Sequence, residues 1–316
     1  SGEKNSTPAL IRKIVKLEDQ HPGRYDYLGK GDPPLGDMRT HEYSSSFQKH
    51  VCESALNILK ATWGQSVEQT IHMDILNAFG NLTLDRVSTL KASSAFDETW
   101  YKSDGSKQYH RKKVVENMQK FIKPENTHVH HVLKDCLETI EKRGCMHIDI
   151  FKKNQHGGLR EIYVLGPEER IIQLGLETIA RQVCRRFKSE TLTNPDQKTR
   201  IPETHGRRAR ACQTSDNLSG KIETVGTSDD LKTFNQTQHT TKLAMTLVKF
   251  TKKELHPFII RACSLFMHKR IKLDDDLMQI IIKNAELKTS DETLSTLHKA
   301  YRGMIDPPPR WARSGL

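Results

Sequence analysis

Apolar residues recur at helical spacing over most of this chain, and one stretch breaks the rhythm. Residues 9–17 have the pattern of a short amphipathic helix, while 21–37, rich in proline and glycine, read as a loop. From Ser46 a helix is predicted with Val51, Ala55, Ile58 and Leu59 on one face. The pattern resumes over 70–90 through Ile71, Ile75, Leu76 and Phe79, with Gly80 and Asn81 as an interruption. Gly105 marks a turn, 112–122 predict a basic helix ended by Pro124, and 130–142 predict another, stopped by Gly144.

The period then drops to two. Met146, Ile148 and Ile150 alternate with polar residues, which predicts a strand over 146–151, and 161–165 predict a second. Between them lie Lys152, Lys153, the pair Gly157-Gly158 and Arg160, so the expectation is a cationic hairpin whose connection is longer than a tight turn. Gly166-Pro167-Glu168-Glu169 predicts a helix start, because proline suits the first turn and carboxylates suit the positive end of the dipole. Ile172, Leu176, Ile179, Val183 and Phe187 form its apolar stripe, and Arg181, Arg185 and Arg186 crowd its last turns, where capping or RNA contact accounts for them. Residues 190–220 read as a polar, basic loop carrying His205-Gly206-Arg207-Arg208-Ala209-Arg210, solvated or in contact with phosphates.

A short strand is predicted over 222–227, ending in Ser228-Asp229-Asp230. Helices follow: one with Leu243, Leu247 and Phe250 on a side, an apolar one over 254–271, one over 277–287 and one over 290–301. Asp274-Asp275-Asp276 read as an N-terminal cap, and Pro307-Pro308-Pro309 as a turn.

Charge sharpens this picture. The 316 residues carry a net charge of +11, with a pI of about 9.3, which favours a polyanionic partner, nucleic acid before membrane. Residues 141–210 hold 15 Lys+Arg against 9 Asp+Glu, over half the net charge in under a quarter of the chain. Six scattered cysteines without a CxxC pair suit free thiols in a reducing compartment. No apolar run approaches the roughly 20 residues of a membrane span. The chain begins Ser-Gly-Glu-Lys without an initiating Met, so a segment of something longer is expected, a processed mature protein being the alternative.

The chemistry follows from two features. A carboxylate at the end of a strand, as at Asp229-Asp230, is a good ligand for a hard cation such as Mg²⁺, although Asp before Leu-Lys-Thr is also an ordinary helix cap. Adjacent residues of an extended chain face opposite ways, so one of the two aspartates is expected to ligate. Arg160 can hold phosphate bidentately and Lys153 supplies a compact charge. Together, a cationic hairpin and a strand-end aspartate are the parts that metal-assisted phosphoryl or nucleotidyl transfer requires. The absence of GxxxxGK[ST] argues against a P-loop ATPase. His128, His130 and His131 lack the partners of a zinc site, and Cys145 and Cys184 lack a histidine partner for nucleophilic work.

At these residues a family becomes recognisable. Residues 153–164, Lys-Asn-Gln-His-Gly-Gly-Leu-Arg-Glu-Ile-Tyr-Val, resemble motif F of the L proteins, the RNA-directed RNA polymerases of bunyaviruses, in particular phenuivirus-like members (phlebovirus relatives). Residues 228–236, Ser-Asp-Asp-Leu-Lys-Thr-Phe-Asn-Gln, are similar to motif A, and His205-Gly-Arg-Arg-Ala resembles a segment between the two. The resemblance implies an α+β, mainly helical fold, the fingers and start of the palm of a right-hand viral polymerase. Its expected parts are a helical fingers-side region over 1–145, the motif F hairpin, helix and basic loop over 146–220, and the start of the palm over 221–316.

It also implies roles. Asp230 would be the catalytic aspartate that binds Mg²⁺ or Mn²⁺. Lys153 and Arg160 would meet the triphosphate of the incoming nucleotide, with Gln155 and Glu161 shaping the loop. Lys232 and Asn235 would run past the nucleotide, and His205, Arg207 and Arg208 would contact RNA. The family usually has Lys-Trp where Thr233-Phe234 stand, so an aromatic is kept and the lysine falls one residue early. The implied partners are viral RNA template and product, ribonucleoside triphosphates, the viral nucleoprotein and the remainder of the L protein, with no membrane span. The implied setting is the host cytoplasm and the virion. Motifs B to E and the cap-snatching endonuclease are not recognised in these residues, so the segment is expected to be inactive alone. The alternatives are a non-catalytic basic RNA-binding module, including a virus-derived relic, and a helical scaffold with no nucleic-acid role.

Overall fold

A computed structural model describes residues 11, 12, 15, 45–81, 99–101, 107–109, 128–155, 158–215, 240–266, 269–272 and 275–307. The expectations for 21–37, 112–122 and 222–227, and for Gly105 and Gly157, lie outside the described residues, as do Asp229, Asp230, Lys232 and Asn235. Among the described residues the chain is mainly helical with a small sheet, as the α+β expectation has it. It divides into two compact units: residues 1–42, 80–175 and 260–316 form the first, and 43–79 with 176–259 the second.

In the first unit, α3 (Val129–Arg143) buries Val132, Leu133, Cys136, Leu137 and Ile140 along one face, and Gly144 ends it in the left-handed conformation at φ 80°. Two residues on, β3 (Met146–Gln155) begins, and it pairs antiparallel with β4 (Gly158–Leu165). The register is unbroken from Ile148↔Leu165 to Gln155↔Gly158. Both strands are therefore longer than predicted, and two residues separate the last pair, so the expected long connection is a short one. Each added pair closes ladder hydrogen bonds at polar positions that carry no apolar alternation to advertise them.

β5 (Lys269–Lys272) pairs parallel with the start of β3, from Met146↔Lys269 to Asp149↔Lys272, giving the order β4-β3-β5. This overturns the single helix expected over 254–271. A 3₁₀ turn (Lys253–Leu255) leads into α7 (His256–Leu265), which stops before the strand. The apolar run favours helix locally, but the free edge of β3 needs backbone partners, and 269–272 supply them. Separately, β1 (Thr99–Tyr101) pairs antiparallel with β2 (Lys107–Tyr109). Near the end of the unit, Ile11 packs with Ile281 of α8 (Asp275–Lys283) and Leu297 of α9 (Glu292–Tyr301). Asp291 caps α9 through the amides of Thr293 and Leu294, at 3.0 and 3.2 Å, and also pairs with Arg12.

In the second unit, α1 (Ser45–Trp63) packs on α6 (Thr240–Phe250): Gln48 donates to the Lys242 carbonyl at 2.7 Å and Lys249 pairs with Glu53 at 2.9 Å. The line that α1 buries is Cys52, Leu56 and Leu59; Val51 and Ile58, expected inside, are exposed. In α2 (Val67–Gly80) the buried line is Val67, Ile71, Ile75 and Ala78, and Leu76 faces out. Leu243 of α6 is likewise exposed, with Leu247 and Phe250 buried. In α1 and α2 the exposed apolar residues lie on a line about 100° from the buried one, and packing, not spacing, chooses between them.

Candidate nucleotide and nucleic-acid site

The hairpin owes its geometry to its base. Pro167 and the two glutamates open α4 (Pro167–Cys184) as predicted, with Gly166 at the cap position, its carbonyl accepting from the Arg170 amide at 2.9 Å. Glu169 does more than complement the dipole. It is fully buried, and one carboxylate oxygen accepts from the His147 amide at 2.9 Å and from the Arg143 guanidinium. Arg143 also donates to the Cys145 carbonyl at 3.1 Å. Glu169 thus ties the end of α3, the first residues of β3 and the start of α4 to one point. Burial pushes its carboxyl above the usual carboxylate range, and the His147 amide and Arg143 partly offset this. The other oxygen, Oε2, is buried without a hydrogen-bond partner, and a Cβ at Gly166 would meet it at 2.3 Å. Sequence reasoning missed this strut; a glutamate at the third helical position after Gly-Pro signals a cap, not a tie to a neighbouring strand.

Along the hairpin, Lys153 stands directly opposite Arg160, and Lys152 opposite Glu161. Opposed residues of an antiparallel pair share a face, and alternate residues change face. Lys153 and Arg160 therefore share one face with the positions Phe151, Ile162 and Gln155, and Lys152 lies on the other, with buried Met146 and Ile148 at its root. Directly opposed like charges cost roughly 0.2–1 kcal/mol in a sheet.

The second basic feature differs from expectation. Residues 197–215, read as part of a loop, form a helix, α5 (Gln197–Ser215), in spite of Pro202. Gln, Lys, Arg and Ala are good helix formers, and Glu203 pairs with Arg207 one turn on at 3.4 Å. His205, Arg207 and Arg208 are all exposed on it. Just past the end of α4, Arg186 pairs with Asp74 and lies over the Trp63 ring at 5.3 Å, and Arg185 reaches Asp74 at 3.1 Å.

All six cysteines are free, and burial pushes the thiol of Cys263 up to about 12 and that of Cys136 further. The rings of His130 and His131 lie 3.9 Å apart, and His130 is held below its ordinary value by burial first and by its two histidine neighbours next. Among the described residues no group of three or more His, Cys, Asp or Glu is placed to hold a metal, and no helix is long and apolar enough to cross a membrane.

The class these observations define is a basic, mainly helical protein with a cationic antiparallel hairpin braced from its base. The chain belongs to the bunyavirus RNA dependent RNA polymerase family, whose model matches residues 1–316. It is 52% identical over its full length to the RNA-directed RNA polymerase L of Uukuniemi virus (strain S23). It is 41% identical to that of Rift valley fever virus and 42% to that of Toscana virus, each over 99% of the chain. The chain spans about 15% of the length of these relatives.

Proposed function

We propose that these 316 residues are the fingers and the start of the palm of a viral RNA-directed RNA polymerase, which extends RNA on a negative-strand viral template. The observation that carries this reading is the match of the polymerase family to all 316 residues. The register of Lys153 with Arg160 supports the assignment within it.

In this reading Lys153 and Arg160 hold the triphosphate of the incoming ribonucleotide and stabilise the pyrophosphate as its charge develops. Gln155 and Glu161 set the shape of the hairpin, while Lys232 and Asn235 position the nucleotide. Asp230 would hold Mg²⁺ or Mn²⁺, which in a two-metal site neutralises phosphate charge and activates the attacking hydroxyl. His205, Arg207 and Arg208 on the exposed side of α5 bind RNA phosphates, which fixes the position of the strand without reading its sequence. Viral nucleoprotein and the rest of the L protein are the proposed protein partners, and the host cytoplasm the place of action. The 316 residues alone are inactive on this reading, because the remaining metal carboxylates belong to motifs outside them.

The test is Asp230→Ala in the full-length protein, assayed for templated nucleotide incorporation. Activity should fall at least about a thousandfold, as expected when a metal ligand of the transition state is lost. Retention of near-normal incorporation would sink the assignment of Asp230.

A further inference from the structure

The arm that carries Lys153 and Arg160 is held from one end. Among the described residues, β5 borders β3 from Met146↔Lys269 to Asp149↔Lys272, and from Ile150 to Gln155 the partner of β3 is β4 alone. A two-stranded ribbon is marginally stable by itself and twists readily, so its direction is set where it is anchored. From Ile148 at the root to Lys153 is five residues, about 17 Å at ~3.3 Å per residue. A tilt of about 5° at the root therefore moves the Lys153–Arg160 position by roughly 1.5 Å. Where a reaction depends on positioning, misplacement by about 1 Å costs on the order of a hundredfold.

The anchor is one carboxylate. Glu169 accepts from the amide of His147, the residue just before the first β3–β4 pair, and from Arg143, which also donates to the Cys145 carbonyl. On the other strand, the amide of Gly166, one residue past Leu165 of that pair, donates to the His147 carbonyl at 3.4 Å. Both strands thus leave the core at a point that Glu169 fixes. A Cβ at Gly166 would overlap Oε2, so the space is shaped for this carboxylate. A buried Arg–Glu pair adds little net stability over apolar packing, whereas its directional hydrogen bonds fix orientation. We propose that Glu169 is a positioning residue for nucleotide binding: by fixing the root of the hairpin it sets where Lys153 and Arg160 meet the triphosphate. The inference rests on the triphosphate reading of the hairpin.

The test measures KM and kcat for ATP in templated incorporation by the full-length protein, each variant assayed below its melting temperature. Glu169→Ala should raise KM on the order of tenfold. Loss of folded protein alone lowers the active fraction, which lowers apparent kcat and leaves KM where it was. Glu169→Gln keeps an acceptor for the His147 amide and should restore most of the KM. Gly166→Ala pushes the carboxylate aside with its donors intact, so it should raise KM too, and it replaces Glu169→Ala if that variant does not fold. Because Glu169 acts through the hairpin, Glu169→Ala should raise KM by a smaller factor in the Lys153→Gln background than alone. An unchanged KM in Glu169→Ala, or in its replacement, together with a raised KM in Lys153→Gln, overturns the proposal and leaves the triphosphate reading standing. Full additivity with Lys153→Gln does the same. An unchanged KM in Lys153→Gln overturns the triphosphate reading, and the proposal with it.

Discussion

Glu169 is a carboxylate that the fold buries and then uses as a joint. Removing it by Glu169→Ala strands Arg143 and the His147 amide at the root of the hairpin. The loss should be about 2–3 kcal/mol, at or just below the usual cost of breaking a buried pair, because Arg143 keeps some contact with water. Gly166→Ala should also destabilise, by roughly 1–3 kcal/mol, since its Cβ would overlap a carboxylate that two donors hold in place. The two substitutions share one carboxylate, so their costs should not add; chemical denaturation of both single variants and the double variant measures the shortfall. Additive costs would mean that Glu169 can swing away freely.

The hairpin and α5 carry the predictions that belong to elements. If the Lys153–Arg160 pair is set for an anion, it is a liability without one. Lys153→Gln should stabilise the anion-free protein by about 0.2–1 kcal/mol while raising the KM for nucleotide. A variant that is both less stable and poorer in KM would point to a structural lysine instead. For α5, the double substitution Arg207→Gln and Arg208→Gln should lower the salt slope of RNA binding by about 1.4, two single-strand contacts, and leave nucleotide KM alone. Helicity should persist, because glutamine is as good a helix former as arginine. The hairpin was legible in the sequence from its alternation and its helix start. The helix at 197–215 was not, because a polar helix with an internal proline has no apolar stripe to reveal it.

At the scale of the molecule, its carboxylates respond to pH in opposite senses. Hydrogen bonds from Arg261 hold Glu141 below the usual range, and Lys249 does the same for Glu53. Their contribution is present above the unfolded carboxylate value of about 4.3 and is lost as pH falls through the lowered folded value. Glu169 is raised by burial, so its contribution is complete below about 4.3 and declines as pH rises through the folded value. Thermal melts should show the gap between wild type and Arg261→Gln, about 0.5–1 kcal/mol at pH 7, closing as pH falls from 5 to 3. The gap between wild type and Glu169→Gln should instead move in favour of the glutamine variant as pH rises from 4 to 7. Parallel trends in both series would contradict the opposite shifts.

What the sequence determined alone was local or compositional: a basic surface, amphipathic helices with their starts and stops, a period-two stretch between them, and the motif residues that resemble a polymerase. Backbone sterics and side-chain periodicity act within a few residues, so these are written in neighbouring positions. The tertiary structure decided which of two apolar lines α1 buries, that 269–272 leave helix for strand, and that Glu169 braces β3 as well as complementing its own helix start. Each of these depends on pairing or burial between residues far apart in the chain, where the free energy of satisfying a strand edge or filling a core outweighs the few tenths of a kcal/mol of local propensity.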